Sequence, residues 1–313
     1  MTMSVTPPGS GADLAADTAV HADPTTPGRY LITLPDHWDY LLPSGGAVMT
    51  TALRAAQAHL NEPVLRFASA TTIFCTPLRA TKLVAEVTEL RRGKSTAQVR
   101  VSLRHVDAIP DPEDESDNSR GLELLATFVR DRKGPDVRTL SLPTWAKSVA
   151  DSAPVDDGLP NNPHARFRLY HQVECRIADG PRFWTPDYEA GPARYARWFR
   201  YRTPQRDAEG RLDRLALPPL IDTMPTALHR AIGPGGYRFF APSLDLTTYV
   251  VDDTKRDWLL VTANVRRAHL GWAIADCEVW DDEGRFLAYG SQAMYLQGLS
   301  GEPPVIDATG RNY

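Results

Sequence analysis

The sequence predicts an α+β protein made of two related halves, each a long helix wrapped by an antiparallel β-sheet. Three observations carry this expectation. The strand-like runs cluster together instead of alternating with helices, which disfavours a parallel sheet. One helical segment precedes the main group of strands in each half. The order of elements then repeats on either side of residues 133–164, a stretch rich in Pro, Asp, Gly and Asn that reads as a linker.

Residues 1–28 consist largely of Thr, Ala, Pro, Gly and Asp and read as a disordered tail, without the basic start and apolar stretch of a signal peptide. The first half spans 29–132. It opens with a short strand at Tyr30-Leu31-Ile32-Thr33-Leu34, and Ser44-Gly45-Gly46 then introduces a helix running to Leu60, with a serine placed to cap it. Strands follow over 65–75, 82–90, 95–104 and 122–130, with a turn at Arg92-Gly93-Lys94. The acidic run over 111–117 reads as a hairpin loop. The linker holds at most a short helix around Trp145. The second half, 165–298, places strands over 167–177 and 195–201, a helix over 215–232, and strands over 243–251, 258–265, 272–280 and 285–296. Asp281-Asp282-Glu283-Gly284 makes a hairpin turn, and 299–313 form a C-terminal tail. Thr72-Ile73-Phe74 overlays on Thr247-Thr248-Tyr249, and Leu83 to Val87 on Leu259 to Ala263, in order and pattern more than in identity.

Hydrophobic residues make up 42% and charged residues 24% of the 313, values of a soluble globular protein long enough for two domains or a duplicated one. The formal net charge of -4 offers no basic field for a phosphate backbone, so nucleic acid is not an expected partner. No apolar run reaches the roughly 18 residues of a membrane-spanning helix. Cys75, Cys175 and Cys277 lie far apart in strand-like contexts and read as small buried thiols in a reducing cytosol. A Gly-x-Ser-x-Gly elbow, a phosphate-binding loop and a dinucleotide fingerprint are all missing, as are His-Glu-x-x-His and Cys-x-x-Cys. Neither a metal nor a tightly bound cofactor is therefore expected.

Several short motifs, in order, point further. Ser44-Gly45-Gly46-Ala47-Val48 leading into Ala52-Leu53-Arg54-Ala55-Ala56 resembles the start of the central helix of the hotdog fold. Leu90-Arg91-Arg92-Gly93-Lys94-Ser95 is similar to the hairpin turn of acyl-CoA thioesterase II-like (TesB-like) double-hotdog proteins. Pro242-Ser243-Leu244-Asp245-Leu246-Thr247, Trp258-Leu259-Leu260, and Gly284-Arg285-Phe286-Leu287-Ala288 with Gln292 resemble that family's C-terminal pattern. The resemblance covers residues 29–298. It implies a tandem hotdog that hydrolyses a fatty acyl-CoA to free acid and CoA, and a homodimer of fused chains. It also implies a water-activating trio at Asp222 in Leu220-Ile221-Asp222-Thr223-Met224-Pro225, Ser243, and Gln292 in Gly290-Ser291-Gln292-Ala293. Two positions depart from the pattern: Ser243 stands for the commoner threonine and keeps the hydroxyl, and Leu246 stands where the thioesterases often have a histidine.

The chemistry suits those residue types. A thioester carbonyl is electrophilic and its thiolate leaves readily, so a water oriented by a carboxylate can attack without a covalent enzyme intermediate. Asp222 would orient that water while Ser243 and Gln292 fix it. Gly45 and Gly46 would allow a substrate close to a helix start, whose amides favour a developing negative charge. Taken singly, Asp222 reads as a helix cap, Ser243 as a strand start, Gln292 as an outward strand residue and Gly45-Gly46 as a turn; only their joint order points to a site. Arg194, Arg197, Arg200 and Arg202 around Trp198 and Phe199 read either as a solvated strand face or as contacts for CoA, and His37, His171 and His269 as structural or surface residues. Two other functions compete: an enoyl-thioester hydratase or dehydratase, and a non-catalytic acyl-thioester or lipid-binding protein. Fold alone does not separate them.

Overall fold

A computed structural model of the chain describes residues 11–108, 119–156, 158–159, 161–234 and 237–306. The acidic run over 111–117 lies outside them.

The first half contains α1 (Leu14–Asp17), β1 (Val20–Ala22), β2 (Arg29–Thr33), α2 (Gly45–Leu60), β3 (Arg66–Phe74), β4 (Lys82–Arg92), β5 (Thr96–His105) and β6 (Leu122–Val129). The second begins with β7 (Ala153–Pro154), α3 (Pro163–Arg166), α4 (Arg168–His171), β8 (Val173–Asp179) and β9 (Arg194–Tyr201). It continues with α5 (Pro218–Ile221), α6 (Thr226–Ile232), β10 (Arg238–Phe240), β11 (Asp245–Val250), β12 (Leu259–His269), β13 (Trp272–Asp281), β14 (Phe286–Tyr295) and β15 (Gln297–Ser300).

Thirteen of the strands form one continuous antiparallel sheet in the order β1-β2-β4-β5-β6-β3-β11-β14-β13-β12-β9-β8-β7. Within it the run β2-β4-β5-β6-β3 and the run β9-β12-β13-β14-β11 have the same topology: the second strand crosses to the far edge and the next three return. The halves join where these second strands pair, with Thr71 opposite Thr247 and their hydroxyls 2.9 Å apart. The duplication read from the sequence is thus present in the topology. Its register differs in detail: the matching pairings Phe74 with Leu122 and Val250 with Ala288 equate Ile73 with Tyr249, one residue from the sequence overlay. A one-residue slip exchanges the two faces of a strand, so only the structural register matches inward residues with inward residues.

The core fills the space between the helices and the concave face of the sheet. Ser44 caps α2, its Oγ accepting from Ala47 N at 3.1 Å, and Ala47, Met49, Ala52, Leu53 and Ala56 are fully buried against β4, β5 and β6. Small residues dominate because the helix is enclosed on most sides. Asn61, at φ 45°, ends it in the left-handed region.

Four expectations are corrected. The second long helix is broken: a 3-10 turn at Arg214–Ala216, then α5, then a turn through Asp222, then α6. Pro218 and Pro219 start α5, whereas Pro225 lacks an N–H and restricts Met224 away from helical angles, so the chain restarts as α6. The run over 167–177 begins not as strand but as α4. The last part of the expected 133–164 linker joins the second half, since β7 pairs with β8 at the edge of the sheet and α3 starts at Pro163. Around Trp145, which sits in a turn instead of a short helix, Leu142, Trp145 and Val149 pack against Trp198 on the outer face. Finally, residues 11–28 of the expected tail carry α1 and β1 and pack onto the rest of the chain. Leu14 is fully buried, Leu14 N donates to Gln205 Oε1 at 3.0 Å, Ala12 N donates to Gln172 Oε1 at 2.7 Å, and Trp38 Nε1 donates to Asp17 Oδ2 at 2.9 Å.

This segment therefore contributes to folding stability. Leu14→Ala is expected to cost about 2–4 kcal/mol in urea denaturation, in the range of buried leucine truncations; an unchanged midpoint would show that the segment is not part of the core.

Candidate active site

The two helical systems cross at one point. A Cβ on Gly46 would lie 2.2 Å from Pro218 O and 2.5 Å from Pro219 Cα, so a glycine is required for α2 to meet α5. Thr50 Oγ1, one turn further along α2, donates to Leu215 O at 2.8 Å and fixes the crossing. The end of α5 therefore faces the N-terminus of α2, and Asp222 stands there as the residue after the last turn of α5.

Asp222 is 5% exposed. One carboxylate oxygen accepts from Gly46 N at 3.1 Å, and the other accepts from Ser243 Oγ at 3.2 Å and Gln292 Nε2 at 2.8 Å. Gln292 Nε2 also donates to Ser243 Oγ. Ser243 sits just before β11, held by a bridge to Met294, and Gln292 lies on the concave face of β14. Burial pushes the Asp222 carboxyl up to about 6, against the opposing pull of the Gly46 amide, the Ser243 hydroxyl, the Gln292 amide and the Gly45 amide. Gln292 Oε1 is buried and has no hydrogen-bond partner among the described residues.

The carboxylate stands at the wall of an apolar cavity of about 480 Å³, which Gly45, Ser243, Tyr40, Phe74, Phe183 and Phe239 help to line. Gly45 borders the space; Gly46 is sealed beneath α5. Tyr170, Thr223, Thr226 and His229 complete part of the wall. The His229 ring is stacked between Phe183 and Phe239, at 4.7 and 4.5 Å between centroids, and burial holds it down at about 4. It is not among the groups that bond the Asp222 carboxylate.

The sequence-predicted residues Asp222, Ser243, Gln292, Gly45 and Gly46 thus come together from four segments and both halves. Two family models match the chain. The model described as the acyl-CoA thioesterase N-terminal domain matches residues 34–129, and that described as the C-terminal domain matches residues 146–296, together most of the chain. The chain belongs to the acyl-CoA thioesterase family.

Solved structures similar to this thioesterase-family chain extend over nearly its whole length. One is a conserved protein of unknown function with a hotdog fold from Alicyclobacillus acidocaldarius, at TM-score 0.73 and 20% identity, covering 93% of this chain and 98% of that one. Another is an acyl-CoA thioesterase II from Mycobacterium marinum, at TM-score 0.65 and 20% identity, covering 92% and 100%. At such identities these likenesses establish the fold, a double hotdog. No curated protein matches the sequence.

The arginine cluster divides by strand alternation. Arg194 lies over Trp145 and Arg200 over Trp258 on the outer face, at 4.5 and 4.9 Å from the ring centroids, whereas Arg197 is 3% exposed on the inner face. A solvated strand face therefore does not describe Arg197. Its neighbours Tyr195, Phe199 and Tyr201, at spacings of two, were the available signal. Tyr40 and His229 were not singled out as cavity residues, and nothing local in the sequence marks them. Of the three cysteines expected to be buried, Cys175 and Cys277 are and Cys75, just after β3, is instead exposed; all three are free. Among the described residues no cluster of possible metal ligands occurs, and no helix is long and apolar enough to cross a membrane.

Asp222 binds its proton more tightly when folded than at its ordinary 3.8. Between about pH 4 and 6 the native chain therefore holds more protons than the unfolded one, and stability falls as pH rises through this window. Relative to Asp222→Asn, the wild type is expected to lose stability from pH 4 to pH 6 and to remain level above it. Urea midpoints of both proteins across pH test this; parallel curves would mean that the folded carboxyl titrates normally.

Proposed function

We propose that the protein hydrolyses a fatty acyl-CoA to free acid and CoA by attack of a water held at Asp222. The observation that supports this most directly is the meeting of Asp222, Ser243 and Gln292 beside an apolar cavity.

The hydrogen-bond directions suit the task. Gln292 Nε2 gives a hydrogen to Ser243, and Ser243 directs its own toward the carboxylate, so both are committed to holding Asp222. A water bonded to Asp222 can place its second hydrogen on Gln292 Oε1, the acceptor left unpartnered. The water oxygen attacks the carbonyl carbon while Asp222 takes a proton; the C–S bond then breaks and the thiolate leaves with that proton. A carboxyl raised to about 6 is mostly ionised at neutral pH, yet more basic than an exposed aspartate. Gly46 acts through Asp222, and the positive end of α2 stabilises the ionised carboxylate. Gly45 borders the substrate, and the acyl chain occupies the aromatic-lined cavity, whose volume suits a small-molecule site. The chain is read as cytoplasmic, where its thiols stay reduced. It is also read as pairing into a homodimer, supported by Ile73, Leu125 and Tyr249, which stand 48–55% exposed around the seam between β3 and β11. Light scattering should then give about twice 34.6 kDa, and a monomer mass would remove that part of the reading.

Free-thiol release from a panel of short-, medium- and long-chain acyl-CoAs tests the activity. Asp222→Asn is expected to lower kcat by about 100-fold or more and Gln292→Ala by about tenfold or more, with the fold retained. In the wild type kcat/KM should rise as pH passes about 6 and then level, following ionisation of Asp222. Full turnover in folded Asp222→Asn would falsify the mechanism. Binding of acyl-CoA without thiol release would favour the hydratase or the binding protein, which hydration of an enoyl-CoA would then tell apart.

A further inference from the structure

Arg197 lies behind the cavity wall on β9, and its guanidinium grips that wall from outside. Nη2 donates to Thr223 O at 3.1 Å and to Thr226 Oγ1 at 2.9 Å; Nη1 donates to Tyr170 Oη at 2.9 Å and to His164 Nε2 at 3.3 Å. Tyr170, Thr223 and Thr226 all line the cavity, whereas Arg197 does not reach it. Thr223 is the residue after Asp222, so one of these bonds fixes the carbonyl of the residue next to Asp222 in the turn that carries the carboxylate. Another holds Thr226, the first residue of α6. The turn that carries Asp222 is therefore clamped between the Gly46 crossing at one end and Arg197 at the other.

Stability alone accounts poorly for an arginine here. The guanidinium is 3% exposed, and no carboxylate among the described residues forms an ion pair with it. The groups facing it bring no counter-charge. His164 on α3 is held well below its usual value by burial and by Arg197 itself. Burial pushes Cys175 on β8 up to about 12 and the phenols of Tyr40 and of Tyr195 on its own strand well up, and Tyr170 on α4 accepts from it through its hydroxyl. Burying a cation without a counter-ion opposes folding, and an apolar side chain of similar volume would avoid that cost. What the apolar side chain could not supply is a planar fork that holds a backbone carbonyl and two hydroxyls at once.

We infer that Arg197 is a positioning residue for thioester hydrolysis: by gripping Thr223, Thr226 and Tyr170 it sets the place of the Asp222 carboxylate relative to the cavity. This rests on the reading that Asp222 orients the attacking water. Misplacement of an attacking group by about 1 Å is enough for a loss near 100-fold, so the effect belongs in kcat.

The test compares kcat and KM for acyl-CoA hydrolysis in Arg197→Met, Arg197→Lys and Asp222→Asn, with cooperative thermal unfolding as the check on folding. Arg197→Met is expected to lower kcat between about 10- and 100-fold while KM stays within about twofold. Should Arg197→Met fail to fold, Arg197→Lys keeps the charge and the stem but lacks the fork, and a kcat loss of at least about fivefold at unchanged KM is expected. Wild-type kcat in a folded variant, or a raised KM with kcat intact, would overturn the inference while an inactive Asp222→Asn left the reading of the site standing. An active Asp222→Asn would instead remove that reading and this inference with it.

Discussion

A carboxylate buried at the meeting of two helix ends is the constraint on which the rest of this structure turns. Removing Asp222 from water would be prohibitive unless its oxygens were bonded, and no single segment supplies the donors. The amide of Gly46 comes from the first half, while the hydroxyl of Ser243 and the amide of Gln292 come from the second. Each donor imposes a condition on the fold. α2 must begin at this point, α5 must end here, and the two must cross closely enough to forbid a side chain at position 46. The continuous sheet, joined through β3 and β11, holds the crossing in place, since it fixes the distance between the first half's helix and the second half's strands.

The residual preference of Asp222 for its proton follows from the same arrangement. Four groups favour the ionised form, and burial still prevails, so the carboxyl ends near 6 instead of below its ordinary value. A fully compensated carboxylate would be a weak base, and an uncompensated one would stay protonated at neutral pH. The intermediate value needs both the enclosure and the donors, and it is the property on which the proposed role of Asp222 as a base rests.

Much of this was legible in the sequence, for reasons that differ by element. The strands of the main sheets could be read because one face of each is buried and residues alternate, and α2 because Ser44 and the small residues behind it mark a capped, enclosed helix. The site residues came from resemblance and order, since no periodicity distinguishes Gln292 from any other strand residue. The N-terminal segment was misread because its composition is that of a tail, while its anchors, Gln172 and Gln205, lie more than 150 positions away. The break at Asp222 has a signal in the sequence, Pro218, Pro219 and Pro225, which a reading of residues 215–232 as one helix leaves out. Arg197 was grouped with its neighbours by charge, although alternation along β9 sends it to the opposite face.

The register of the duplicated sheets also explains why, among the described residues, the first half has no counterpart of this carboxylate cluster. Phe67 pairs with Phe128 just as Ser243 bridges Met294, and Ala126 occupies on β6 the inward position that Gln292 occupies on β14. The first half thus presents a buried phenylalanine and an alanine where the second presents a hydroxyl and an amide. A carboxylate placed in the corresponding corner of the first half would find no donors from these strands, and burial would leave it protonated. The unbroken α2 fits this loss: with nothing to hold, the first half's helix keeps its full 16 residues and lends its N-terminus to the other half. The second half has done the reverse, interrupting its helix with proline to bring an aspartate to that terminus. Each half alone lacks part of the hydrogen-bonded cluster, so the fusion of the two is a condition for holding the Asp222 carboxylate as it is held here.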